Sequence, residues 1–336
     1  MRSTAAEAAY SVSGATADVN NGLIHVAAGA LSDAQGRILI AKRPERVHQG
    51  GLWEFPGGKL EPGETPSEGL ARELFEELGV RIRSWRPLIR IHHDYGDRHV
   101  LLDVYRVDDY QGKPIGREGQ PLAWVAPDAM DPVLFPAADR PIITALRLPN
   151  FYLISGADPA CPDDFIRRLG KALAAGIKLF QLRAHGLSDA DYASLVRLAH
   201  PLCRVAGARL LLNRDLKLAK KLPCDGLHLT SGALHSLHER PCDFDRLVGA
   251  SCHDAQELRL AERLGLDYGL LSPVEATATH PDVEPLGWER FAELVDSAHL
   301  PIYALGGLTP AHLDRCIHAG AQGVAAIRGL WPDLTG

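Results

Sequence analysis

Eight short apolar runs recur at 151–155, 178–183, 209–213, 226–230, 247–252, 268–273, 301–307 and 323–329. They constrain the fold more tightly than any other feature of the chain. Short continuous apolar runs suit strands buried on both faces, and a sheet covered by helices provides that burial. Most intervals can hold a helix, as at 163–175 and 189–206, while the interval between the third and fourth runs is short. The pattern predicts a compact α/β (β/α)8 TIM barrel, with an open doubly wound sheet as the competing arrangement.

The region before it reads differently. Strand-like runs at 24–27, 37–41 and 99–105 surround one strong helix and leave little room for crossovers. That predicts a mixed sheet with helices, of α+β type. A length of 336 residues fits about two domains. The expected division is a floppy tail at 1–22, a first domain at 23–148 and a barrel at 151–333. The junction at 147–150 has no Gly/Ser linker, so the domains are expected to abut.

Lys+Arg number 36 against 42 Asp+Glu, a formal net charge of −6. This balance argues against direct duplex nucleic-acid binding, which needs clustered cations, and leaves small phosphorylated molecules as partners. Six cysteines, with no C-x-x-C pair and none before residue 161, fit a reducing cytoplasm. The apolar stretch 22–31 is too short to span a bilayer and contains His25, so no membrane association is expected. The first 22 residues lack the apolar core of a signal peptide.

The chemistry concentrates in one segment. Gly57-Gly58-Lys59-Leu60-Glu61-Pro62-Gly63-Glu64 leads into a helix whose start is marked by the Thr65/Glu68 capping box and Pro66, and whose stop is marked by Gly79. Glu73, Glu76 and Glu77 stand at i, i+3 and i+4 on one face, beside an apolar stripe of Leu70, Leu74 and Leu78. Taken alone, such a face is more often that of a solvated acidic helix. Carboxylates packed this closely repel one another, and a hard divalent cation such as Mg²⁺ or Mn²⁺ relieves that.

The whole segment, Gly58, five residues, Glu64, seven residues, then Arg72-Glu73-Leu74-Phe75-Glu76-Glu77-Leu78-Gly79-Val80, matches G-x5-E-x7-R-E-U-x-E-E-x-G-U at every fixed position. It resembles the Nudix box. The resemblance implies Mg²⁺- or Mn²⁺-dependent hydrolysis of nucleoside diphosphates linked to another group. It makes Glu73, Glu76 and Glu77 metal ligands and Arg72 the residue that orients them. Glu73, Glu77 and Glu118 are all candidates for the base that activates water.

The flanks resemble the MutT branch, the 8-oxo-dGTP diphosphatases, through Ala41-Lys42-Arg43, 53–59, Asp97-Arg98-His99, 116–121 and 135–141. The resemblance implies nucleotide phosphate or sugar contacts for Arg43 and His48, and a substrate-facing run of Glu54, Phe55, Pro56 and Gly57. Phe55 would pack against the base with Arg98 nearby. Gly57 would offer its carbonyl to the metal, and Glu118 would add a carboxylate beside it. The branch places Asn where this chain has Asp139. An amide can donate to O6 and accept from N7–H of 8-oxoguanine, whereas an ionised Asp only accepts. Asp139 therefore reads the base only if burial keeps it protonated; otherwise it is a helix cap before Pro141.

Residues 151–330 resemble thiamine phosphate synthase and its TenI-like relatives, which are small TIM barrels. The resemblance rests on Gln181-Leu182-Arg183, Leu212-Asn213-Arg214-Asp215, 226–232, Thr277-Ala278-Thr279, Ala304-Leu305-Gly306-Gly307-Leu308 and 320–324. It implies a site built from Gln181, Arg183, Asn213, Thr230, His253, Thr277, Thr279, Gly306, Gly307 and Arg328, with thiazole or pyrimidine phosphates as ligands. Four positions depart from the family pattern. His185 and His280 replace lysines, and Arg214 and Ala233 fall where the family has magnesium-binding aspartates. The fused protein is thus expected to hydrolyse 8-oxo-dGTP to 8-oxo-dGMP and diphosphate, beside a barrel with doubtful synthase chemistry. The alternatives are hydrolysis of thiamine-related pyrophosphates, and a barrel that acts as a thiazole tautomerase or as a non-catalytic ligand sensor.

Overall fold

A computed structural model describes residues 23–46, 49–96, 99–156, 161–277 and 283–332. The first region contains β1 (Leu23–Leu31), β2 (Ile38–Lys42), β3 (Trp53–Glu54), β4 (Gly57–Lys59), α1 (Pro66–Leu78), β5 (Arg81–Asp94), β6 (His99–Gln111), β7 (Leu122–Val125) and α2 (Arg140–Arg147). They form a four-stranded sheet in the order β4-β1-β6-β5 and a three-stranded sheet in the order β3-β2-β7. β1 runs parallel to β6 and antiparallel to β4, which makes the sheet mixed.

Alternation along β1 places helices on both faces. Ala27 and Leu31 join Leu70, Leu74 and Leu78 of α1. Ala28 and Ala30 join Ile142, Ile143 and Phe135 on the α2 side. The period of two in the strand and the stripe of the helix together bury both layers. β5 is absent from the expected strands. Its Arg and His residues and Pro87 mask the alternation, and its pairing with β6 carries three register shifts.

The second region closes into an eight-stranded barrel. Its strands are β8 (Phe151–Ile154), β9 (Leu179–Leu182), β10 (Arg209–Leu212), β11 (Gly226–Leu229), β12 (Leu247–Cys252), β13 (Tyr268–Leu271), β14 (Ile302–Ala304) and β15 (Gly323–Ala326). Between them lie α3 (Pro162–Ala174), α4 (Asp189–Val205), α5 (Leu216–Ala219), α6 (Ser231–His235), α7 (Ala255–Arg263), α8 (Gly287–Asp296) and α9 (Leu313–His318). All neighbours are parallel, and β8 pairs with both β9 and β15, which closes the ring, so the open-sheet alternative is not the fold. The short interval holds only the four residues of α5. The barrel interior packs Tyr152, Tyr268 and Tyr303 against one another.

The two regions meet where the barrel strands begin. Gln322, just before β15, donates from Nε2 to the carbonyls of Ala145 (3.1 Å) and Leu148 (2.8 Å). These are end carbonyls that α2 cannot satisfy within itself. Arg209 pairs with Asp128 at 3.2 Å, and Arg90 with Asp296.

Candidate functional site

α1 starts as the sequence predicts. Thr65 accepts from the Glu68 amide, Glu68 accepts from the Thr65 amide, and Gly79 closes the helix at φ 73°. Arg72 then organises the polar face. Its Nε and Nη2 donate to the two Glu64 oxygens at 2.7 and 2.9 Å, and Nη1 reaches Glu73 at 2.9 Å and Glu76 at 3.2 Å. Nη2 also donates to the Lys59 carbonyl at 2.9 Å. The Arg72 guanidinium holds the Glu64 carboxyl down at about 2. Glu64 was legible only as part of the box; its role as the partner of Arg72 depends on the loop folding back.

β4 lies tight against β1 and α1, which explains the glycines. A Cβ on Gly57 (φ +149°) would stand 2.1 Å from the Ala27 carbonyl oxygen, and one on Gly58 would sit 2.4 Å from the Glu73 carboxylate. The Gly57 amide donates to Glu77 at 3.2 Å. The loop before β7 is tied to the end of α1 by the Arg117 amide on the Glu77 carbonyl (2.9 Å), and it carries Glu118. Burial pushes the Glu77 carboxyl up to about 8, and the nearby charges of Glu54, Glu73 and Glu118 add to this. Glu76 stands apart: its side chain is 57% exposed and its contact is Arg72. Among the described residues, no three acidic, histidine or cysteine groups already converge on one ion-sized point. The donor set is nevertheless a half-buried group of hard oxygen ligands in mutual repulsion, the environment a divalent cation relieves.

Next to the carboxylates lies a polar, buried corner. Glu54 pairs with Arg43, yet its own burial pushes its carboxyl upward. Asp139 is 8% exposed. It occupies the position before α2 but makes no capping bond there, so the helix-cap reading fails. Its carboxyl instead accepts from the Phe55 amide. Burial first, and the Glu54 charge second, hold it up at about 8, against the opposing pull of Arg43. Phe55 is buried and stacked on Phe135 at 5.8 Å, and the Pro56 carbonyl accepts from the Gly29 amide at 2.8 Å. His48 and Arg98 lie outside the described residues.

A second cavity, of about 820 Å³, opens where the barrel strands end. Its lining includes Gln181, Arg183, Asn213, Thr230, His253, Thr277, Gly306, Gly307 and Arg328, so nine of the ten expected residues meet there. Thr279 lies outside the described residues. His228 and Ser251 also line it and were not singled out from the sequence. His228 Nδ1 bonds Tyr268 Oη at 3.0 Å and Nε2 bonds Ser251 Oγ at 3.0 Å, while burial lowers its pKa to about 3. It lies within the run 226–232 that carries the family resemblance, on an otherwise apolar strand, but nothing in that run gave it a role.

Residues 27–145 match the model of the NUDIX domain, and residues 151–330 match that of thiamine monophosphate synthase. The first region is 42% identical over 96 residues to an 8-oxo-dGTP diphosphatase of Proteus vulgaris, covering 29% of this chain and 86% of that protein. It is 34% identical over 124 residues to the 8-oxo-dGTP diphosphatase of Escherichia coli, covering 37% and 96%. The second region is 32% identical over 186 residues to the thiamine-phosphate synthase of Lysinibacillus sphaericus, covering 54% and 87%. The chain belongs to the Nudix and thiamine monophosphate synthase families. It is a Nudix hydrolase whose N-terminal part carries the complete box and whose C-terminal part is a synthase-family barrel. The barrel cavity opens at the strand ends opposite the junction between the two parts.

Proposed function

We propose that the Nudix domain hydrolyses 8-oxo-dGTP to 8-oxo-dGMP and diphosphate. The observation that carries this reading is Asp139, a buried carboxyl beside Phe55, Glu54 and Arg43 that is held near 8 and spends no bond on capping α2. At neutral pH such a group keeps its proton. It can then donate to O6 of the base while its second oxygen accepts from N7–H, as an asparagine would. The names of the curated relatives point to the same substrate.

Glu73, Glu76, Glu77 and Glu118, with the Gly57 carbonyl, would hold Mg²⁺ or Mn²⁺. Bound there, such an ion supplies charge neutralisation of the diphosphate and a more acidic water. Arg72 clamps Glu64, Glu73 and Glu76 in one orientation, so these side chains need not be ordered at the moment of reaction. One of Glu73, Glu77 or Glu118 takes the proton as water attacks phosphorus in line. By the family resemblance, Arg43 and His48 would bind phosphate or sugar, Glu54, Phe55 and Pro56 would shape the pocket, and Arg98 would act on the base. A panel of 8-oxo-dGTP, dGTP, thiamine diphosphate and the pyrimidine pyrophosphate, assayed on the full chain, tests the assignment. A kcat/KM no higher for 8-oxo-dGTP than for the thiamine-related pyrophosphates would reject it.

A further inference from the structure

The barrel family works on a diphosphate held with magnesium, and this barrel does not fit that group. Among the described residues that line its cavity there is no Asp or Glu. Arg214, at the first family aspartate position, points its guanidinium to Asp189 at 2.9 Å and to the carbonyls of Ala184, His185 and Leu187 at 3.1, 3.1 and 2.7 Å. The adjacent Asp215 cannot stand in, because its carboxylate caps α5 through the Lys217 amide at 2.9 Å and it is not part of the lining. Ala233, at the second position, has no donor; its amide is held by Thr230. Glu275, the nearest acid in sequence to the Thr277 edge, accepts from Trp288 Nε1 at 2.8 Å and is likewise absent from the lining. Hard-cation sites need several oxygen ligands, at least some of them charged.

What remains is an anion site. Arg183 and Arg328 line the cavity, and neither guanidinium has a carboxylate partner among the described residues. Gly306 and Gly307, at φ 105° and 71°, let the backbone run along Pro273 and Ala276 where a Cβ would stand 2.8 Å from its neighbours. They follow the seventh strand and Arg328 follows the eighth, the position where barrels of this kind hold phosphate. Two fixed positive charges balance one phosphate monoester, which carries about −1.5 to −2 at neutral pH. A diphosphate brings more charge than they match. The cavity is also far larger than a phosphate, and Ile154, Leu270, Leu305 and Leu308 give it apolar walls for an organic body.

We propose that this barrel has lost its divalent-cation site and binds an organic phosphate monoester directly on Arg183 and Arg328, without metal, and that it does not displace pyrophosphate. The test titrates phenyl phosphate into the full chain by calorimetry, in magnesium and again in EDTA. Parallel titrations use the Arg183→Met/Arg328→Met and Arg183→Lys/Arg328→Lys double variants. Nudix activity of each variant reports that it has folded. The expected result is a Kd that agrees within about twofold with and without magnesium, weakens by about tenfold or more in the Met variant and largely recovers in the Lys variant. A Kd that tightens tenfold with magnesium, or one that the Met variant leaves unchanged, would overturn the proposal. So would thiamine phosphate formed from pyrimidine pyrophosphate and thiazole phosphate.

Discussion

Asp139→Asn exchanges a carboxyl that the fold keeps protonated for an amide of the same shape that never titrates. The parent carboxyl moves from 3.8 to about 8 on burial. A raised carboxyl pKa means that the folded chain holds a proton which the unfolded chain releases. Stability from this group is therefore undiminished below about pH 4, falls as pH rises and levels off above about pH 8. At pH 7 the accumulated cost is about 3 units at 1.36 each, or ~4 kcal/mol as an order of magnitude. Asn carries none of it. Denaturant unfolding of parent and variant at pH 4.5 and pH 8 measures the difference, which should favour Asn and widen toward the higher pH. The same titration acts on selectivity. Above its pKa the parent loses the O6 donor about tenfold per unit, so its kcat/KM ratio for 8-oxo-dGTP over dGTP should fall about tenfold between pH 7 and pH 9. The Asn variant shares every ionisation of the substrate and serves as the control; its ratio should stay flatter. A stability gap independent of pH, together with parallel selectivity profiles, would refute the burial argument and remove Asp139 from the base-reading role.

Glu77→Gln should cost on the order of 10² to 10⁴ in kcat, and EDTA should abolish turnover, whereas magnesium-independent hydrolysis would contradict the carboxylate site. Gly58→Ala should sharply lower activity while leaving the circular dichroism spectrum intact, because the new methyl stands where the Glu73 carboxylate lies; full activity would show that Glu73 can move without consequence. Gln322→Met removes two buried hydrogen bonds to the end of α2. It should lower unfolding stability by about 1–3 kcal/mol, and an unchanged denaturation midpoint would show that water replaces them.

Legibility in the sequence follows how local each signal is. The capping box, the Gly79 stop and the Leu70/Leu74/Leu78 stripe span one helix, and each appears where the residues place it. The eight barrel runs were equally readable, since strands buried on both faces are apolar throughout. β5 was lost because its inward residues are few and its register slips. Glu73, Glu76 and Glu77 share a helix face by spacing, but spacing does not set depth. Only the strand beneath and the loop carrying Glu118 bury Glu77 and leave Glu76 outside. Likewise, the run 226–232 contains His228 but does not set its environment, since its partners Tyr268 and Ser251 lie 40 and 23 residues away along the chain. The environment of Asp139 is a property of the folded corner formed by Phe55, Glu54 and Arg43.

The grip of Gln322 on α2 gives the fusion a mechanical meaning. The same short helix begins at the residue proposed to sense the oxidised base and ends in carbonyls clasped by the other half of the protein. A gene cut between the halves would leave Ala145 and Leu148 to seek water. The resulting fraying would start six to nine residues from Asp139. On the proposed reading, the barrel would thus anchor the far end of the helix that carries Asp139.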